Sequence, residues 1–337
     1  MNVNDQEILN PRKLRSARIL SKMCGTFKPR RKSNLPFDKM SIRRILVQEH
    51  QCIGDVLMLE PTLRALKKGY PNATIDLLCV EAVARLAQKA KLADHILVYP
   101  RQIPYKISYD LVIDFHGDIR RLKLLKKYNS KYRAGFNFSG GARYLTHVVD
   151  YPYKNHQVER PFDLLTLLGI NIESIIPRLE GLGSKFKIAK RILLHPGANN
   201  YYRMWPPEEW RGLIGMLEAD GYEVIWINPP GGHCNLDVKQ FSGDLLELAE
   251  LMQTAALLVG VDSMSGHLAG ALGIPTLTIF GSQNPELTRP YHKDGHIIKP
   301  QRRCLHVKKN WRLCSECMAN VRSERVRLKI KKIINTQ

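Results

Sequence analysis

Apolar runs alternate with amphipathic stretches along most of the chain. At 42–48, IRRILVQ predicts a short strand, and after it Val56, Leu59, Leu63 and Leu66 recur at helical spacing until Gly69-Tyr70-Pro71 closes the helix. ATIDLLCV then predicts a strand, EAVARLAQKAK a helix, and HILVYP and YDLVIDFHG two more strands. Strands separated by helices of this length imply a parallel, doubly wound sheet.

The pattern weakens over 150–185, where the spacing predicts one helix at 160–169 and a passage between domains. A second set opens with RILLHPG at 191–197. It continues with a helix at 207–219, the strand YEVIWIN, a helix at 244–252, the strand ALLVGVD, the helix SGHLAGALG and a last strand, PTLTIFG. The fold class is therefore α/β with two Rossmann-like domains. The expected boundaries are a basic leader over 1–40, a first domain over 41–175, a second over 186–320 and a basic amphipathic helix over 321–337. In that last segment Val326, Ile330, Ile333 and Ile334 share one side.

The 337 residues are long for one core and natural for two. No uncharged apolar run reaches membrane-spanning length, and the N-terminus lacks an apolar signal core, so a cytoplasmic location is expected. Seven cysteines, an odd number, fit reduced thiols better than a disulfide framework. Cys304, His306, Cys314 and Cys317 form a weak zinc candidate, with packed or free thiols the plainer reading.

The net charge of +21 is concentrated at the ends. Residues 1–44 hold 12 Lys/Arg against 3 Asp/Glu, and 299–337 hold 12 against 2, whereas 45–298 hold 28 against 26. Cationic ends on a near-neutral body suit an anionic surface, phospholipid or nucleic acid, or serve solubility alone.

Ligands of open α/β sheets bind beyond the carboxyl ends of the strands, and three such turns stand out. In QEHQCIGDVLM, Gly54 permits close backbone approach. Asp55 near the helix start is either an N-cap or a base. In HPGANNYYRMWPPEEW, Gly197 and Ala198 form a small-residue turn, and Arg203 is either an exposed arginine or a phosphate partner. In VDSMSGHLAGALG, the polar turn of Asp262, Ser263, Ser265 and Gly266 opens a helix near His267. It is either a plain capped start or an anion site. The small residues Gly266, Ala269, Gly270 and Ala271 imply close approach to a ligand or sheet. Gly281 and Ser282 add a further polar turn. No G-x-G-x-x-G occurs, which argues against an ordinary dehydrogenase, and there is no D-x-D.

Taken in order and at their separations, GDVLMLEPTLRALKKGYP, HPGANNYYRMWPPEEW and VDSMSGHLAGALGIPTLTIFGSQNP resemble the glycosyltransferase family 9 pattern of ADP-heptose:lipopolysaccharide heptosyltransferases. YDLVIDFHGDIRRLKLL, AGFNFSGGARYLTH and CMANVRSERV extend the resemblance over roughly 42–327. The resemblance implies a GT-B architecture with sheets facing across a cleft. It implies an inverting transfer without metal or other cofactor, from a nucleotide-sugar donor to a lipid-linked oligosaccharide acceptor. Asp55 becomes the candidate base, and Gly54 and His116 lie on the acceptor side. Gly197, Ala198, Arg203, Asp262, Ser263, Ser265, Gly266, His267, Gly281 and Ser282 become donor-binding. Lysine is often found where Arg203 stands, and GSQNP departs from the expected threonine-bearing turn. The basic termini imply a peripheral place on the inner face of the cytoplasmic membrane. Rival readings are a sugar-nucleotide epimerase or hydrolase on the same fold, and a nucleic-acid binder, for which no recognised motif is present.

Overall fold

The structure, a computed structural model, describes residues 41–137, 141–183, 185–229, 235–302 and 314–336. The basic leader lies outside these residues, as do Cys304 and His306. The chain divides into two compact units, Met1–Ile175 and Ile176–Gln337.

In unit 1 the described elements run β1 (Arg44–Glu49), α1 (Ile53–Met58), α2 (Glu60–Gly69), β2 (Thr74–Val80), α3 (Glu81–Lys89) and β3 (His95–Tyr99). They continue with β4 (Ser108–Asp114), α4 (Ile119–Leu125), β5 (Asn129–Asn137), a 3-10 turn (Gly141–Tyr144), β6 (His147–Asp150) and α5 (Phe162–Leu167). The helix expected across 53–69 is two helices meeting at Leu59. Pro61 has no N–H to give the carbonyl four residues back, which ends the first ladder and starts the second. All pairings are parallel, in the order β3-β2-β1-β4-β5-β6. Leu122, Leu125 and Tyr128 pack with Leu46, Leu78, Val112 and Leu145 over one face of this sheet.

Unit 2 repeats the plan with β7 (Ile188–His195), a 3-10 turn (Tyr201–Arg203), α6 (Pro207–Ala219), β8 (Glu223–Ile227), β9 (Lys239–Phe241) and α7 (Leu245–Met252). Then come β10 (Ala255–Val261), α8 (Met264–Ala271), β11 (Thr276–Ile279), α9 (Pro285–Thr288), β12 (Gly295–Ile298), α10 (Glu316–Ala319) and α11 (Ser323–Ile334). The sheet is again parallel, ordered β12-β11-β10-β7-β8-β9. β10 is buried along its whole length, as its uninterrupted apolar sequence requires of a central parallel strand. α11 lays Val326, Ile330 and Ile333 against Trp210, Leu213 and Leu217 of α6. Polar ties fix its outer side: Ser323 N–H donates to Glu209 Oε2 at 2.7 Å, and Arg327 and Lys331 both reach Asp220.

Strand order reverses between β1 and β4 in unit 1 and between β7 and β10 in unit 2. Successive connections leave the sheet in opposite directions there. In sheets of this kind ligands bind beyond the carboxyl ends of the strands at such a switch point.

Candidate functional site

In unit 1, the carboxyl ends of β1 and β4 carry a network of buried charge. Gln48 and Asp114 are register partners across the two strands, and Gln48 Nε2 donates to Asp114 Oδ2 at 2.8 Å. Arg121, from the first turn of α4, reaches back beneath them. Its Nε donates to Asp114 Oδ2 and its Nη1 to Glu49 Oε1, both at 2.9 Å, and its Nη2 donates to the Gln48 carbonyl at 2.8 Å. Asp114 also accepts the backbone N–H groups of His116 and Gly117. Burial pushes the Asp114 carboxyl up, but Arg121 and the Gly117 amide outweigh it and hold the group below the usual carboxylate range.

Glu49 has the opposite balance. Burial raises it to about 8 against the pull of Arg121, with Asp55 and Asp114 adding to the rise. Arg121 neutralises one carboxylate and Asp114 has the fuller set of donors, so Glu49 keeps its proton at neutral pH.

Asp55 lies in the first turn of α1, with Gly54 one residue before it. The N-cap position belongs to Cys52, which makes no side-chain cap bond, so Asp55 is not the cap. Its Oδ1 accepts a 2.6 Å bond from Gln157 Nε2, 102 residues along the chain. Burial raises the Asp55 carboxyl, opposed by His116, Arg121 and Arg160. His116 and His50 are held neutral, by burial first and then by Arg121, with His50 lowered to about 4. His50 stacks on Tyr99 at a centroid distance of 4.0 Å. The Nδ1 atoms of both histidines are buried without a hydrogen-bond partner. Unit 1 therefore brings together a carboxyl of raised basicity, two neutral imidazoles and a neutral acid, the chemistry of proton transfer.

In unit 2, α8 starts beyond β10 without a side-chain cap. Ser263 occupies the cap position, but its hydroxyl lies 3.3 Å from His195 Nδ1 and 3.1 Å from Ser265 Oγ. α7 shows what a closed helix start looks like here. Asp244 and Glu247 form a complete capping box. The first amides of α8 lack that seal, and with the helix dipole they form a ready anion seat.

Arg203 stands beside this seat, its Nη1 3.3 Å from Asp262 Oδ2 and 3.4 Å from the Asp262 carbonyl. Its Nε is buried and unpaired, and so is Ser282 Oγ beyond β11. Native interiors leave few such groups without a partner, so these two mark the α8 start as a candidate ligand site. Asp262 is raised by burial, with Arg203 opposing. His195 is lowered to about 4 by burial and stays neutral.

The remaining residues read from the sequence have packing roles as well. Gly197 touches His195, since a Cβ there would stand 3.3 Å from His195 Cε1. Ala198 rests on the unit 2 core. His267 and Ser265 are buried in α8. A Cβ on Gly266 would stand 2.8 Å from Pro290 Cγ and 3.5 Å from Thr278 Oγ1 of β11, and one on Gly270 2.8 Å from His292 Cδ2. The small residues of α8 thus admit the 290–292 segment and the sheet, rather than a ligand. Gly281 similarly admits Met318. Cys314 and Cys317 are buried with sulfurs 3.6 Å apart. Among the described residues no three His, Cys, Asp or Glu side chains converge as a metal set. The sequence reading passed over Glu49, His50, Arg121, Gln157 and His195. The only local hint was that Glu49 and His195 end apolar strands, where a buried polar residue has a reason to be.

Two successive parallel sheets of this order, each with polar groups gathered at its switch point, make a GT-B-type fold. The chain belongs to glycosyltransferase family 9: the family model described as "Glycosyltransferase family 9 (heptosyltransferase)" matches residues 105–240 and 242–316. The protein is thus a glycosyltransferase. It is 24% identical over 289 residues to lipopolysaccharide heptosyltransferase 3 of Escherichia coli, covering 71% of this chain and 83% of that protein. The solved structure of E. coli heptosyltransferase WaaC with ADP has a TM-score of 0.70 at 18% identity, covering 86% of this chain and 99% of that one. E. coli ADP-heptose LPS heptosyltransferase II has a TM-score of 0.71 at 18% identity, covering 87% and 99%.

Proposed function

We propose that the enzyme transfers heptose from ADP-heptose to an inner-core acceptor of lipopolysaccharide, inverting the anomeric centre without a metal ion. The observation that carries this is the uncapped start of α8 beside Arg203, whose Nε is unfilled. A departing diphosphate gains charge as the glycosidic bond breaks. Amides at a helix start and a guanidinium stabilise that charge without reorganising. Asp55 takes the proton of the acceptor hydroxyl, whose oxygen attacks the anomeric carbon as ADP leaves from the opposite face. Gln157 fixes the rotamer of Asp55, and the neutral His50 and His116 leave Asp55 free of a competing cationic proton donor. Gly197, Ser263, Ser265 and Ser282 complete the donor side; Gly54 and His116 serve the acceptor.

The cationic ends are read as holding the enzyme to the anionic inner leaflet, a peripheral place on the cytoplasmic side. Among the described residues no helix is long and apolar enough to cross a membrane.

The test is calorimetric binding of ADP and ADP-heptose to the purified chain, then transfer to a truncated lipopolysaccharide in the presence of EDTA. Binding of both and chelator-resistant turnover are expected. Arg203→Ala should weaken ADP by about ten- to a hundredfold, the worth of one charge-assisted contact, roughly 1.5–3 kcal/mol. Absence of ADP binding, or loss of turnover with EDTA, would overturn the reading.

A further inference from the structure

The near-neutral body is two regions of opposite sign. From 119 to 149 the chain carries 8 Lys/Arg and no Asp/Glu, so the rest of 45–298 holds 20 Lys/Arg against 26 Asp/Glu. The cationic segment begins at α4, directly after the strand that carries Asp114. α4 is amphipathic: Arg121, Leu122 and Leu125 face inward, while Lys123 is exposed, followed by exposed Lys126 and Lys127 at its end. Lys106 and Arg143 belong to the same face. The 103–107 loop, α4 and the 141–144 turn all pack on one apolar cluster through Ile103, Ile107, Leu122, Leu125 and Tyr144. Tyr105 and Tyr128 rings lie 5.8 Å apart, which seats the loop beside the end of α4. No ion pair engages Lys106, Lys123, Lys126, Lys127 or Lys131 among the described residues, whereas Arg120 is held by Asp118.

We propose that this face of unit 1, centred on Lys123, Lys126 and Lys127, is a docking surface for an anionic phospholipid membrane. The choice of a lipid surface rests on the proposed lipid-linked acceptor and on the chemistry of the patch. Lysine ammonium groups on flexible stems match a fluid layer of headgroup phosphates, for which the planar bidentate fork of arginine is not needed. Aromatic residues of interfacial type sit among them. Tyr105 is 41% exposed, Lys131 Nζ lies 5.1 Å from the Tyr132 ring, and the Arg143 guanidinium 5.0 Å from the Tyr144 ring. By contrast α11, the described part of the basic ends, spends Arg327 and Lys331 on Asp220. Docking through α4 would bring the membrane to the unit that carries Asp55.

The experiment is co-sedimentation of the full chain with vesicles of phosphatidylglycerol in phosphatidylcholine, with pure phosphatidylcholine vesicles and a single-stranded oligonucleotide as comparisons. The wild type should partition onto the anionic vesicles and lose that binding as salt rises. The triple variant Lys123→Gln, Lys126→Gln, Lys127→Gln should bind them roughly a hundredfold more weakly, at about fivefold per lysine. All three side chains are exposed, so ADP affinity and melting temperature of the variant should match the wild type. They also report separately on the transferase reading. Unchanged vesicle binding in the variant, equal binding to neutral vesicles, or tighter binding to the oligonucleotide than to the anionic vesicles would each overturn the proposal. A second triple variant, to Glu, should weaken sedimentation beyond the Gln variant, leaving only what the cationic ends supply; binding equal to the wild type there would overturn it equally.

Discussion

The residue that decides the behaviour of unit 1 is Arg121, because three of its nitrogen donors are committed inside the fold. Removing it as Arg121→Met leaves Asp114 and Glu49 buried beside each other without a cation. Breaking a buried pair in this way costs about 3–5 kcal/mol. Urea unfolding should show that loss. The double variant Arg121→Met, Asp114→Asn should recover part of it, since the stranded carboxylate is gone. Asp55 bears on rate instead. Asp55→Asn preserves the Gln157 contact in shape but cannot take a proton, so kcat should fall about 10²–10⁴-fold with ADP affinity within a factor of two.

The shifted groups also set how stability depends on pH. His50, His195 and His292 titrate near 4 in the fold against 6.5 unfolded, so the unfolded chain binds more protons between those values and stability rises with pH across that window. Glu49 works in the other direction. Its folded value of about 8 stands above the 4.5 of the unfolded chain, so its contribution is complete below 4.5 and is lost as pH climbs to 8. The sum predicts maximal stability near pH 6.5 with a decline toward 8. Glu49→Gln should flatten that decline. A wild-type curve level between 6.5 and 8 would refute the buried protonated Glu49.

At the scale of elements, α8 shows how packing and binding share one segment. Gly266 has Pro290 Cγ where a Cβ would stand, at 2.8 Å, and a proline ring yields little. Gly266→Ala should therefore cost about 1–3 kcal/mol by overpacking. It should also weaken ADP by displacing the amides at the start of α8. A melting temperature and ADP affinity equal to wild type would contradict that packing.

The elements also show what could be read from the chain. β1, β2, β4, β7, β8 and β10 were legible because central parallel strands are continuous apolar runs. β5 was missed because NSKYRAGFN mixes charge, glycine and aromatics. β6, β9 and β12 are too short for any periodicity, with β9 a three-residue edge strand. The candidate site was legible where it is local. Asp55, Arg203 and the 262–267 turn each sit at a strand end within a recognisable motif. Glu49–Arg121 and Asp55–Gln157 join positions 72 and 102 residues apart, and no local pattern encodes such a meeting.

At the scale of the whole molecule, the two units can be followed apart because of where the tryptophans fall. All four, Trp205, Trp210, Trp226 and Trp311, lie in unit 2. Trp205, Trp210 and Trp226 form a chain of edge-on rings in its core, with centroids 4.8 and 5.5 Å apart. Trp205 also bonds the Val321 carbonyl at 2.7 Å, directly before α11, so these rings report the packing of unit 2, which carries the proposed donor turns. Tryptophan fluorescence in a urea titration is therefore a readout of unit 2. A ligand that binds the folded form at a hundred times its dissociation constant adds about 2.7 kcal/mol. ADP at that level should shift the fluorescence transition by that amount. Asp55→Asn should leave the increment in place, since Asp55 belongs to unit 1. Arg203→Ala, at the same ADP concentration, should cut it by about half or more. Ile330→Ala opens a void in the core cluster that holds Trp210 and should lower the unfolding free energy read by fluorescence by about 2–5 kcal/mol with or without ADP. An increment erased by Asp55→Asn and untouched by Arg203→Ala would show that the nucleotide is held by unit 1, and the division of labour argued from the two switch points would have to be reversed.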